Sequence, residues 1–127
     1  MSLRSPLGRA RGLGSAKSGT EHWWLQRLSA VALVPLSLWF VTALAGHVAA
    51  ADHAAVVAWM SHPGIAIALI IFISTLLYHS KLGVQVVIED YVHGEAGKLI
   101  CLVGSTFAHL ALAAAGVFAV LKVAFGG

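Results

Sequence analysis

The stretch Tyr78-His79-Ser80-Lys81-Leu82-Gly83-Val84-Gln85-Val86-Val87-Ile88-Glu89-Asp90-Tyr91-Val92-His93-Gly94 closes a long apolar run. His79 sits near the end of that run. Twelve residues on, Tyr91 follows Asp90 where a helix built from the run leaves a membrane. A polar ring inside hydrocarbon is costly unless something holds it. A hydrogen bond from a neighbouring helix would hold it, and so would a ligand that binds imidazole.

Composition points to the same solvent. The chain has 127 residues, 59% hydrophobic and 10% charged, with a mean hydropathy of +0.87. A soluble domain of this length has no interior large enough to hide that much apolar surface. Each membrane-crossing helix needs about 20 apolar residues, so three of them use most of the chain and leave no room for a soluble catalytic domain. A net charge of +3 carried by few basic residues, with no soluble reading surface, argues against nucleic-acid binding. The single cysteine, Cys101, forms no intrachain disulfide and is expected to pack within a helix.

Residues 1–21 are polar and carry Arg4, Arg9, Arg11 and Lys17, a composition that predicts a flexible basic tail. The apolar stretch that follows is too long for a signal-peptide core, and no small-residue cleavage site follows at the usual distance, so the tail is expected to be retained. Residues 22–127 form the membrane domain, with spans predicted at about 24–45, 65–87 and 98–125. Trp23 and Trp24 anchor the first at an interface, and Pro35 within it predicts a kink. A connector with Gly46, His47, Asp52 and His53 follows, and Ala54 to Met60 are read as one or two turns on the surface. The second span begins after His62-Pro63-Gly64, where proline is well tolerated. The N-terminal region holds Arg4, Arg9, Arg11, Lys17 and Arg27, and the end of the second span and the second connector add Lys81 and Lys98. The first connector has neither Lys nor Arg. The positive-inside rule therefore places the N-terminus and second connector on the cytoplasmic side and the C-terminus outside. Arg27 and Asp90-Tyr91 then share one membrane face.

Thr75, His79 and Gly83 are spaced four apart and line one helical face. Both neighbours are small, which clears space for a flat macrocycle over the ring, and imidazole is a common axial ligand of haem iron. The alternative is a histidine hydrogen-bonded to another helix. His109, midway along the third span, is expected to make such an interhelical bond. His47, His53 and His62 border the outer connector and are read as solvated. His22 precedes the first span, and His93 lies within reach of the Asp-Tyr pair. There is no His-Glu-x-x-His motif, cysteine pair or carboxylate cluster to support a zinc or di-metal site. Tyr91 is either an interfacial anchor or, beside Asp90, a phenol that donates to the carbonyl of a lipid-soluble quinone. Arg27 adds positive charge at that level, or pairs with Asp90, or binds lipid phosphate. A continuous helix would separate His79 from Tyr91 by about 18 Å. In the third span, Gly104, Ala108, Leu112 and Ala115-Gly116 are expected to allow close helix packing. Three helices leave a bundle unfilled, so partner helices are expected. Neither paired intramembrane charges nor an internal repeat supports a transporter or channel.

The segment from His79 through Leu82-Gly83, Gln85-Val86-Val87 and Asp90-Tyr91-Val92-His93-Gly94 resembles the hydrophobic membrane-anchor family of succinate dehydrogenase, respiratory complex II. The run His22-Trp23-Trp24-Leu25-Gln26-Arg27-Leu28-Ser29-Ala30 resembles that family's first helix, and the third span is similar by hydropathy alone. The resemblance implies an all-α fold of three transmembrane helices, half of a heterodimeric bundle with a second anchor, the cytochrome b subunit. It implies one haem b between the two chains, with His79 as this chain's axial ligand to the iron. It also implies Tyr91 at the ubiquinone site with Asp90 beside it, and Arg27 near the haem propionates and quinone pocket. Flavin (FAD) and the iron–sulfur clusters would belong to two soluble partners, the flavoprotein and the iron–sulfur protein. The chain would then sit among lipid in the cytoplasmic (inner) membrane as a multi-pass protein with a periplasmic C-terminus, non-catalytic alone. A purely structural anchor without haem, and an anchor of a related quinol:fumarate reductase, are the alternatives.

Overall fold

Four helices account for nearly all of the described chain. The computed structural model describes residues 6–7 and 19–126; most of the predicted basic tail, with Arg4, Arg9, Arg11 and Lys17, lies outside them. Helix α1 spans Gly19–Ala43 and continues as a π-helical turn over Leu44–Val48. The short α2 covers His53–Met60, α3 covers Pro63–Tyr91, and α4 covers Glu95–Gly126. The three long helices, with α1 taken through its π turn, are long and apolar enough to cross a membrane. They contain the three predicted spans and extend each by several residues.

Local chemistry sets the boundaries. The Asp52 side chain accepts from the Ala55 amide at 2.8 Å and caps α2. Pro63 occupies the first turn of α3, where its missing N–H costs nothing, and His62 Nδ1 accepts from the Gly64 amide at 3.2 Å. α3 stops at Tyr91 because Val92 turns to an extended conformation. Lys98 reaches back from α4 to donate to the Glu89 carbonyl at 2.9 Å, covering one of the acceptors that every helix C-terminus leaves open. Gly46 and His47, expected in the connector, instead belong to the π turn, which closes with the Ala49 amide on the Leu44 carbonyl at 3.0 Å. The His47 ring stacks on Trp59 of α2, with centroids 6.0 Å apart, and this contact favours the longer helical end.

α3 is the central element. It packs against α1 on one side and α4 on the other, while α1 and α4 make no close backbone approach among the described residues. The core lies toward the α2 end, where Ala66, Leu69 and Val120 are buried with Trp39, Phe40, Met60 and Ile73 against them. Phe40 meets Phe72 with ring centroids 4.7 Å apart. The Ser61 hydroxyl shares its one proton between the carbonyls of Val57 (2.8 Å) and Val123 (3.1 Å), tying α2 to the end of α4. Much of the remaining apolar surface faces outward, Trp24, Leu38, Phe107 and Phe118 among it. That surface suits lipid or partner helices and does not suit water.

Two packing expectations concern α4. Within the stripe Gly104, Ala108, Leu112, Ala115 and Gly116, it is Gly116 that makes a close approach to α3: a Cβ there would lie 2.9 Å from Ile73 Cγ2. Gly104 has open space around it, and Ala108, Leu112 and Ala115 are exposed, because α4 turns a different face to α3. Cys101 lies on α4 as expected but is also exposed.

Candidate functional site

The site is built where α1 and α3 cross. Ser29 is 7% exposed and is the buried polar side chain of that contact. Its hydroxyl lies 2.7 Å from the Leu25 carbonyl and 3.0 Å from the Gln26 carbonyl, the back-bonding usual for serine inside a helix. It also lies 2.9 Å from His79 Nδ1. A hydroxyl has one proton to give. With that proton on a backbone carbonyl, Ser29 Oγ accepts from His79 Nδ1–H. That arrangement corresponds to the Nδ1-protonated tautomer, with the lone pair on Nε2. Nε2 makes no hydrogen bond among the described residues. His79 also lines an open recess of about 420 Å³ with Ala30, Leu33, Val34, Ser37 and Leu38 of α1.

His109 contrasts with it. His109 Nδ1 donates to the Ser105 carbonyl at 2.8 Å, and Nε2 accepts from Ser80 Oγ at 3.2 Å. Both ring nitrogens are occupied, as the expected interhelical bond requires. Among the described residues no three His, Cys, Asp or Glu side chains converge on a metal-sized site.

One to two turns from His79 toward the α3 C-terminus, a second recess of about 460 Å³ lies between the start of α1 and α3. It is lined by His22, Trp23, Gln26, Arg27, Gly83 and Val86, with Gly19. His22 Nε2 and Gln26 Oε1 are shielded there without a hydrogen-bond partner among the described residues. Arg27 stacks on the Trp23 ring, its guanidinium carbon 3.9 Å from the centroid, a cation–π contact. The structure thus sets Arg27 opposite the segment between His79 and Tyr91. Tyr91 itself is five residues beyond Val86, about 8 Å along the axis.

Asp90 and Tyr91 are exposed at the end of α3, Tyr91 by 77%. His93 Nδ1 donates to the Tyr91 carbonyl at 3.1 Å, so His93 meets the pair through backbone. α3 runs unbroken from His79 to Tyr91. Along the same helix, Lys81 donates to Gln85 Oε1 at 3.3 Å and Gln85 donates to Glu89 Oε1 at 2.8 Å.

The chain matches, over residues 1–121, the model of the succinate dehydrogenase/fumarate reductase transmembrane subunit. It belongs to that family. It is 42% identical over 91 residues to the succinate dehydrogenase hydrophobic membrane anchor subunit of Rickettsia bellii, covering 71% of each chain. The corresponding protein of Paracoccus denitrificans is 30% identical over 122 residues, 96% of this chain and 93% of its own. The succinate dehydrogenase membrane anchor subunit of Reclinomonas americana is 34% identical over 88 residues, 68% of this chain and 73% of its own. No solved structure matches significantly. The resemblance carried by the Asp90-Tyr91 motif holds: the chain is a helical, multi-pass membrane anchor of the succinate dehydrogenase kind.

Sequence reading alone missed Ser29 and Gln26. The signal was present: His22, Gln26 and Ser29 recur at four and three residues along the first helix, a polar stripe on one face.

Proposed function

We propose that this chain, as an anchor of succinate dehydrogenase, offers His79 as one axial ligand to a haem b and contributes Tyr91 to a ubiquinone site. The observation that carries the haem reading is the state of His79. Nδ1 is engaged by Ser29, Nε2 has no hydrogen-bond partner among the described residues, and the ring lines an open recess. A neutral imidazole with its second nitrogen hydrogen-bonded is the usual form of a metal-ligating histidine. The residues therefore fit the group. A single ligand and a recess open on one side call for a second anchor, the cytochrome b subunit, to supply the opposite wall and ligand.

Bound haem would supply a one-electron centre inside the bilayer. The chain's own part is to keep apolar side chains of α1 around that centre and to hold polar ones at its α3-end edge. Arg27 and His22, which line that recess, are the set that would receive the anionic edge of the macrocycle. At the end of α3 the exposed Tyr91 phenol would donate a hydrogen bond to a quinone carbonyl, with Asp90 setting the local field. Soluble flavoprotein (FAD) and iron–sulfur subunits would dock on this same face and deliver electrons from succinate. The Lys and Arg distribution makes it the cytoplasmic face.

The test is a reduced-minus-oxidised visible spectrum of the complex purified through a tag on this chain, with and without His79→Ala. A b-type signal that the substitution abolishes is the expected result. An undisturbed signal in His79→Ala removes His79 from ligation. Co-purified soluble subunits with no b-type signal in the wild type reduce the chain to an anchor without haem.

A further inference from the structure

We infer that Ser29 is the positioning residue for His79: through its hydroxyl it fixes the tautomer and ring plane of the nitrogen offered to iron. The inference rests on the reading of His79 as a haem ligand.

The argument is one of proton accounting at a buried contact. Ser29 is almost fully buried between α1 and α3, so water does not compete for its lone pairs. Its proton is held by the Leu25 carbonyl at 2.7 Å, a partner on the same helix one turn back that moves with it. Oγ is left as an acceptor only, 2.9 Å from Nδ1. In the opposite tautomer the hydroxyl would turn from the Leu25 carbonyl to Nδ1, and the ring N–H would move to Nε2, which has no hydrogen-bond partner among the described residues. A donor left unmet in an apolar setting is costly. The contact thus selects Nδ1–H and leaves the lone pair on Nε2.

Geometry adds a second constraint. An imidazole turns about two side-chain bonds, and a hydrogen bond to a fixed oxygen removes most of that freedom. The oxygen is fixed because Ser29 lies inside α1 with Leu33, one turn further on, also buried. Such an acceptor also raises the electron donation of the ring, which favours the ferric over the ferrous state. His109 shows the contrast within the same chain, since its Nε2 is closed by Ser80. The chain therefore holds two histidines of the same tautomer at this level, of which one keeps an open nitrogen.

The experiment uses the assembled complex carrying Ser29→Ala, Ser29→Thr or His79→Ala. Haem loss to apomyoglobin, the haem midpoint potential and the low-spin ferric EPR signal are measured. Ser29→Ala is expected to speed haem loss roughly 10- to 100-fold, the usual cost of removing such an outer partner. It should also raise the midpoint and shift the g values, which follow the imidazole planes. Ser29→Thr, which keeps the hydroxyl and its back-bond, is expected to restore all three. Wild-type loss rate, potential and EPR in Ser29→Ala overturn the inference. Equal defects in Ala and Thr also overturn it, because the effect is then one of volume. Should Ser29→Ala fail to assemble, Ser29→Cys has nearly the same volume and a weak sulfur acceptor, and a wild-type midpoint there is equally fatal. His79→Ala with haem spectroscopy intact sinks the underlying ligation reading instead, so the two failures are separable.

Discussion

Ser80 Oγ donates to His109 Nε2 across the α3–α4 contact at 3.2 Å, one residue from the point where His79 bonds Ser29 of α1 in the other direction. Successive residues of a helix point about 100° apart, so positions 79 and 80 address the two flanking helices at one height. α3 is thereby pinned on both sides at the level of the candidate ligand, in a region where few side chains are buried.

The two bonds predict opposite consequences for neighbouring histidines. Interhelical hydrogen bonds in membranes contribute about 0.6 kcal/mol on average and up to roughly 2. His109→Leu, which also leaves Ser80 without its acceptor, should lower the stability of the purified complex by about 1–2 kcal/mol in thermal unfolding. It should leave the haem content unaltered. Haem lost with His109→Leu and kept with His79→Ala would reverse the assignments of the two residues.

The α3–α4 approach at Gly116 predicts a steric penalty. A Cβ there would stand 2.9 Å from Ile73 Cγ2. That methyl belongs to a β-branched side chain stiff about its first bond, so it does not swing away freely. Gly116→Ala should destabilise by about 1–3 kcal/mol. A double-mutant cycle with Ile73→Ala should recover part of that loss as a favourable coupling. Additive costs in the cycle would mean that the helices separate without strain.

The spans, the connector helix and the alignment of His79 with Tyr91 on one helix were legible in the sequence, because hydropathy, proline placement and helical spacing are local signals. Ser29 was not. It lies fifty positions from His79, and a serine within an apolar run does not announce which helix its face will meet. The small residues of the third span are open in the same way. Their spacing describes a stripe, but which part of it α4 turns toward α3 depends on the partner surface, and within the stripe Gly116 meets Ile73. The π turn at Gly46-His47 likewise depends on Trp59, twelve positions beyond His47. Charge distribution puts Arg27 on the membrane face of Tyr91 but not at a particular height. The crossing of α1 and α3 sets it beside Gly83 and Val86.

The cap on α2 predicts a local effect. Asp52 accepts from the Ala55 amide at 2.8 Å, and α2 has only eight residues, so it has few bonds of its own to spare. Asp52→Ala should cost about 1 kcal/mol and speed amide exchange in His53–Met60. Asp52→Ser should retain most of the protection. Uniform exchange across the wild type and the two variants would show that Trp59 stacking and the Ser61 bonds hold α2 without the cap.

Tyr91 gives the sharpest functional prediction. Its side chain is 77% exposed at the end of α3, and its backbone carbonyl is already held by His93. Tyr91→Phe therefore removes one hydroxyl and disturbs no packing within this chain, so assembly should be normal. A neutral hydrogen bond contributes about 0.5–1.5 kcal/mol net. If the phenol donates to the quinone carbonyl, kcat/KM for ubiquinone should fall roughly twofold to tenfold, while succinate oxidation by an artificial dye acceptor stays at the wild-type rate. A larger fall would mean that the hydroxyl bonds a group carrying more charge as the reaction proceeds, since such bonds are worth about twice as much. Equal loss in both assays would instead trace the defect to docking of the soluble partners. No change in quinone reduction would leave Tyr91 an interfacial anchor.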